Sequence, residues 1–120
     1  MPDGSDAQLA SVDAALDLWH SRGVTGLDRG NAAQLTVRFR DAADAVYGFY
    51  DETTATVLVN LRIDDADQRT ITIAHELGHA LGLVHVSPDE RSSVMNPGNV
   101  TIQPTADDAI ALARLWGACM

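Results

Sequence analysis

No lysine occurs in this sequence of 120 residues; all eight of its fixed cations are arginines. They are outnumbered by 17 aspartates and glutamates, which leaves a net charge of −9. Nucleic acid and anionic membrane both require a basic face, so neither is expected as a partner. Cysteine is scarcer still. Cys119 stands alone, which excludes an internal disulfide and a thiolate metal cage, and reads as an exposed thiol near a terminus. No apolar run reaches the roughly 18 residues that a bilayer span takes. Met1–Asp6 carries aspartates where a secretory leader has basic residues, so no leader is expected there. There is also no internal repeat, low-complexity tract or linker to divide the chain.

What is present fits one domain. Apolar residues at 46% and charged residues at 21% are an ordinary globular balance. A chain of this length buries roughly two thirds of its surface without staples. The preference for aspartate over glutamate and arginine over lysine reads as a high-GC coding bias with a well-solvated acidic surface, salt adaptation being the alternative.

The local signals predict helix first, then strands, then two more helices. Ser5 and Gln8 form a capping box, and Leu9, Val12, Leu16 and Trp19 recur at helical spacing, so a helix is expected over about residues 6–21, stopped by Gly23. Residues 34–40 alternate, with Leu35, Val37 and Phe39 facing one way and Thr36, Arg38 and Arg40 the other, as a half-buried strand does. Residues 46–50 and 55–63 are further strand candidates. Asp64, Asp65 and Asp67 suit a helix start. They lead into Thr70-Ile71-Thr72-Ile73, whose propensity favours strand. A helix over about 67–81 is nevertheless expected, because the chemistry that follows needs one. Beyond Gly82 the chain is irregular to Asn99. A last helix opens at Pro104 and Thr105, with Thr105 and Asp108 as its capping box, Ala109, Leu112, Ala113 and Trp116 as its apolar face, and Gly117 as its end.

The informative stretch is His75-Glu76-Leu77-Gly78-His79-Ala80-Leu81-Gly82-Leu83-Val84-His85. Positions four apart on a helix share a face, so His75 and His79 can reach one ion together. Glu76 then sits beside the ion without having to bind it. Gly82 permits the left-handed backbone that ends a helix and brings His85 back as third ligand. Three neutral nitrogens leave a tetrahedral zinc with one open position, the catalytic arrangement. Against ordinary residue usage, the full pattern has a chance expectation on the order of one in 100,000 or less.

This HExxHxxGxxH segment resembles the signature of the metzincin metallopeptidases. Ten residues past His85 begin Met95-Asn96-Pro97, which resemble the methionine turn of that clan, and the proline two after the methionine is similar to the matrixins. Thr105-Ala106-Asp107-Asp108 is similar to the start of the matrixin C-terminal helix. The resemblance implies an α+β fold: a small twisted mixed sheet packed with three helices. It implies a single metallopeptidase domain over residues 1–120. In that domain, residues 1–66 give the first helix and sheet, 67–85 the active-site helix and third-ligand turn, and 86–120 the methionine turn and last helix. It further implies a zinc-dependent endopeptidase, with one zinc on His75, His79 and His85 and a zinc-bound water activated by Glu76. Gly82, Met95 and Asp108 would support the site, Met95 as an apolar floor and Asp108, with Asp107 less so, as an anchor to the turn. An extended peptide or protein substrate is expected on the free edge of the sheet, taken as the strand at 55–63. Selectivity is expected from a wall near residues 95–103. Val86 stands where animal matrixins usually have serine, and neither the latency cysteine motif nor the second-zinc loop of larger relatives is present. A monomer is expected. The resemblance implies an extracellular setting if a leader or pro-segment has been removed.

Other residues read more plainly. His20 suits the dipole at a helix end. The Asp64–Asp67 cluster matches no EF-hand spacing, so calcium has no recognisable motif. The rival to an enzyme is a zinc-stabilised binding or inhibitor module on the same fold, and Glu76 discriminates, since metal binding alone does not need it.

Overall fold

The first helix, α1, runs Asp6–His20 and starts as its sequence dictates. The Ser5 backbone N–H donates to Gln8 Oε1 at 2.7 Å, and the Gln8 N–H donates to Ser5 Oγ at 3.3 Å. Both orphan donors of the first turn are thereby satisfied. Val12, Ala15, Leu16 and Trp19 are buried along one stripe. Past the cap at Ser21 the chain turns at Gly23, whose φ of 92° suits a residue without a Cβ. This computed structural model describes residues 5–24, 36–41 and 47–116, with Trp116 placed by its backbone only. Leu35, Val46, Gly117 and Cys119, to which the sequence assigned roles, lie outside the described residues.

Three short strands follow: β1 Thr36–Arg40, β2 Gly48–Asp51 and β3 Thr56–Asn60. Val37 and Phe39 of β1 are buried while Arg38 and Arg40 face outward, as the alternation required. In space the order is β1-β3-β2. β1 pairs parallel to β3 in the register Val37↔Val57 and Phe39↔Val59, and β2 pairs antiparallel to it with Gly48↔Val59 and Tyr50↔Val57. The sheet is therefore mixed, with β3 in the middle. This corrects the expectation that the strand at 55–63 is the free edge. Its Val57 and Val59 carry the buried face and both its sides are paired, so the edge strand next to the helices is β2. The strand is also shorter than expected, since Leu61 and Arg62 already turn away.

Helix α2 spans Ala66–Ala80 with Asp65 as its cap, the carboxylate accepting from the Gln68 N–H at 2.9 Å. Thr70–Ile73 are helical despite their β-branched run. Ile71, Thr72, Ile73 and the five residues after them are all buried, and packing on that scale outweighs propensity differences of tenths of a kcal/mol per residue. The buried Trp19 indole donates to the Ala74 carbonyl at 3.0 Å, pinning α1 to α2 one residue before His75. Helix α3, Ala106–Trp116, opens with the expected box. The Thr105 N–H donates to Asp108 Oδ2 at 2.9 Å and the Asp108 N–H donates to Thr105 Oγ1 at 3.2 Å. Leu112 is fully buried, with Ala109 and Ala113 half-buried beside it. Three helices and a small mixed sheet make the α+β architecture. No helix among the described residues is long and apolar enough to cross a membrane.

Candidate metal centre

The residues that gather here come from three local devices: one helix turn, one helix end and one loop. His75 and His79 lie a turn apart on α2. The helix then ends in a glycine motif. Gly82 has φ 107°, its N–H donates to the His79 carbonyl at 3.0 Å, and the Leu83 N–H donates to the Gly78 carbonyl at 2.9 Å. This pair of bonds reverses the chain, and His85 comes back toward the helix. One candidate ligand atom from each of the three histidines lies within 4.8 Å of the others. The ring centroids are 4.9, 5.3 and 4.9 Å apart. The three are thus close enough to bind one metal ion.

Their protons are placed to match. His75 Nδ1 is 2.6 Å from the Val94 carbonyl oxygen and His79 Nδ1 is 2.9 Å from that of Leu83. A carbonyl only accepts, so each Nδ1 carries a hydrogen and each Nε2 keeps a lone pair for a metal. Burial pushes His75 down to about 4, with the Val94 carbonyl opposing and the other two imidazoles adding to the effect. Burial also lowers His79, against the Leu83 carbonyl and with His85 adding to it. Neutral, oriented imidazoles are what a metal ligand set requires. Nothing else among the described residues gathers three such ligands. His20 stays on the surface of α1, 3.9 Å from Asp17.

Glu76 is buried beside this set, its Oε2 3.9 Å from His75 Nε2. Burial pushes its carboxyl up to about 7, only partly offset by the backbone N–H of Tyr50. Met95 is buried, 1% exposed, against the helix that carries His75 and His79. A Cβ built on Gly78 would meet the Met95 sulfur at 2.5 Å and Trp19 Cζ2 at 3.4 Å. A side chain at Gly78 would push the thioether end of Met95 aside, so the glycine permits this close approach at a cost in helix propensity. The sequence reading did not single out Gly78. A small residue between two ligand histidines, with a buried methionine following, was the available signal.

The loop that carries Met95 is tied down at both ends. Asp108, fully buried, accepts from Ser93 Oγ at 2.5 Å and from Arg91 at 2.8 Å through Oδ1, and from the Val94 N–H at 3.1 Å and the Thr105 N–H through Oδ2. The anchoring expected of Asp108 is present in these contacts. Asp107 is exposed and makes no bond to the turn among the described residues, so that part of the expectation is corrected: its place on the helix start faces solvent. Asn96, also missed as a positioning residue, donates to the carbonyls of Val86 at 2.8 Å and Arg91 at 3.1 Å. The Val86 N–H donates back to the Met95 carbonyl at 3.0 Å, so the residue after His85 is stitched to the methionine loop.

A cleft of about 680 Å³ opens over His79 and His85, bounded by Gly48, Phe49 and Tyr50 of β2 on one side and by Glu76 and those two histidines on the other. The hollow of about 570 Å³ between α1, the start of α2 and residues 100–103 contains none of the three histidines. No protein-family model matches this chain, and no curated protein matches it. The site must therefore be read from its own chemistry.

Proposed function

We propose that this chain is a zinc-dependent endopeptidase of the metzincin kind, nearest the matrixins in its motif. The observation that carries the reading is the position of Glu76: buried beside three converging imidazoles, not among them, and facing the cleft along β2. The residues fit the metal, because three converging imidazoles, two of them with Nδ1 held by backbone carbonyls, are the donor set of a catalytic zinc. A zinc ion on His75, His79 and His85 would supply a Lewis acid for the substrate carbonyl and bring the pKa of water toward about 7.

The protein's own groups do the rest. Glu76 in its ionised form accepts the proton of the attacking water on a carboxylate oxygen and returns it to the departing amine nitrogen. A carboxyl that burial holds near neutrality is suited to both steps. The outer edge of β2 offers backbone groups for an extended peptide to pair with by strand addition, which orients the scissile bond across the cleft. Met95 packs against Gly78 between His75 and His79 on α2, and Asp108 holds the loop that carries Met95.

The second reading, a zinc-stabilised binding module, is favoured only by the small size of the domain. It leaves a buried Glu76 without purpose. The deciding experiment maps cuts in a mixed peptide library by mass spectrometry, with and without chelator. Cleavage that stops with chelator and returns with zinc is expected. Undiminished cleavage by protein shown to be metal-free would overturn the reading, and zinc binding without any cut would favour the binding module.

A further inference from the structure

Gly48 stands where the sheet, the cleft and α2 meet. It lines the cleft of about 680 Å³ and also a recess of about 270 Å³ that reaches Thr72 and His75, and Glu76 and His85 are common to both hollows. It lies in β2 and is not one of the glycines with positive φ, so left-handed freedom does not explain it. Glycine inside a strand weakens the strand and often marks a close approach by another group. Here that group can be named.

A Cβ built on Gly48 would stand 3.0 Å from the Leu58 carbonyl oxygen, 3.0 Å from Thr72 Cγ2 and 3.2 Å from Glu76 Cγ. All three are tighter than ordinary packing, so the neighbours would have to give by a few tenths of an ångström. Thr72 and Glu76 are one turn apart on α2, so β2 lies with bare backbone against one face of that helix. The pleat agrees. Gly48 and Tyr50 pair with Val59 and Val57, both buried, so this is the face that β2 turns toward the core. The backbone N–H of Tyr50 acts on the carboxyl end of the same glutamate. β2 therefore meets Glu76 twice, at the stem through Gly48 and at the carboxyl through Tyr50, while Glu76 Oε2 stands 3.9 Å from His75 Nε2.

We propose that Gly48 is a positioning residue for Glu76: its missing side chain lets β2 close on the glutamate stem and fixes where the carboxylate stands relative to the three histidines. The inference rests on the endopeptidase reading for its effect on rate, but the contact stands without it. The strand whose outer edge is offered to the peptide thus also sets the place of the group that moves the proton. Proton transfer needs heavy atoms within hydrogen-bond reach, and a misplacement of about 1 Å costs on the order of a hundredfold in rate. A Cβ at position 48 displaces the stem by less than that, so a loss of about tenfold is expected. Metal binding is not at stake, because His75 and His79 are oriented by the carbonyls of Val94 and Leu83 and not by β2.

The test compares zinc-loaded Gly48→Ala with the parent. The variant is expected to keep its zinc and a KM within about threefold, while kcat falls by about tenfold. In a Glu76→Ala background the same substitution should change the residual rate by less than about twofold, since no stem is left to displace. Crystal structures of the two proteins give the readout besides activity: the Glu76 carboxylate should be displaced by about 0.5 Å or more, with His75, His79 and His85 in place. Should Gly48→Ala not fold, Gly48→Ala with Thr72→Ser replaces it throughout, because this removes the Cγ2 methyl and leaves the Glu76 contact. A displaced carboxylate in a protein whose parent cuts no peptide would uphold the positioning and sink the endopeptidase reading. An unmoved Glu76, a kcat within about threefold of a parent that cleaves, or a loss as large without Glu76 as with it would overturn the proposal.

Discussion

Glu76 and Asp108 are both buried carboxylates, about one loop apart, and their surroundings treat them in opposite ways. For Asp108, burial alone would raise the pKa, yet the donors from Ser93, Thr105, Arg91 and Val94 together more than reverse this and leave it below 3.8. For Glu76, burial dominates, one backbone N–H offsets little of it, and the carboxyl is pushed up to about 7. Four donors make a carboxylate a clamp; a dry pocket with few donors makes one a proton carrier. The same residue chemistry serves as structure at one place and, in the function proposed above, would serve as reactivity at the other.

The comparison breaks most readily at the clamp. Asp108→Ala should destabilise the fold by about 3–5 kcal/mol, because it strands the Arg91 guanidinium, the Ser93 hydroxyl and two backbone N–H groups. Urea denaturation measures this, and a loss under about 1 kcal/mol would show that those donors re-pair easily. Zinc affinity should fall with it, since His75 leans on the Val94 carbonyl.

Acid should separate the two carboxylates in the metal-free protein. His75, neutral in the fold down to about 4, costs stability as pH falls from 6.5, because the unfolded chain takes up the proton first. His79, also lowered, acts in the same sense. Glu76 works the other way: its folded carboxyl holds a proton that the unfolded chain releases above 4.5, so falling pH between about 7 and 4.5 favours the fold. Asp108, lowered, contributes stability above 3.8 that is lost as pH falls through its folded value. The expected thermal midpoint therefore declines gently from pH 6.5 to 4.5 and steeply below about 4. A steep loss already complete at pH 5 would mean that the histidines, and not the clamp, control acid stability.

The smallest effect is the sharpest contrast. Glu76→Gln should leave the metal-free fold about as stable at pH 4.5 and stabilise it by roughly 3 kcal/mol at pH 8, where the parent must ionise a buried carboxyl. Asp108→Asn at pH 8 should do the reverse and destabilise. Equal signs for the two amides would erase the distinction drawn between them.

Much of this was legible in the residues. The caps at Ser5 and Thr105 are local chemistry and appear where the sequence puts them, as does the glycine-ended turn between His79 and His85. The histidine spacing survives because a helix turn is a fixed ruler. What was not legible is non-local. Chain order places β3 last, yet it inserts between β1 and β2, which moved the free edge to β2. The indole bond from Trp19 to Ala74, the methionine packed on Gly78 and the donors on Asp108 from Arg91, Ser93 and Val94 span 14 to 55 positions of sequence and leave no periodic trace. Thr70–Ile73 read as strand by propensity and became helix through burial. The contact of Gly48 with Glu76 belongs to the same class: the glycine was visible, the stem it packs on was not.

The central claim is that Glu76 moves the proton while three histidines hold the metal. Purified Glu76→Ala, loaded with zinc and dialysed, tests it in one preparation. Elemental analysis should find about one zinc per chain with the fold intact, while cleavage of the best library peptide falls by about two to four decades. Cleavage within about threefold of the parent, with zinc still bound, would contradict the account.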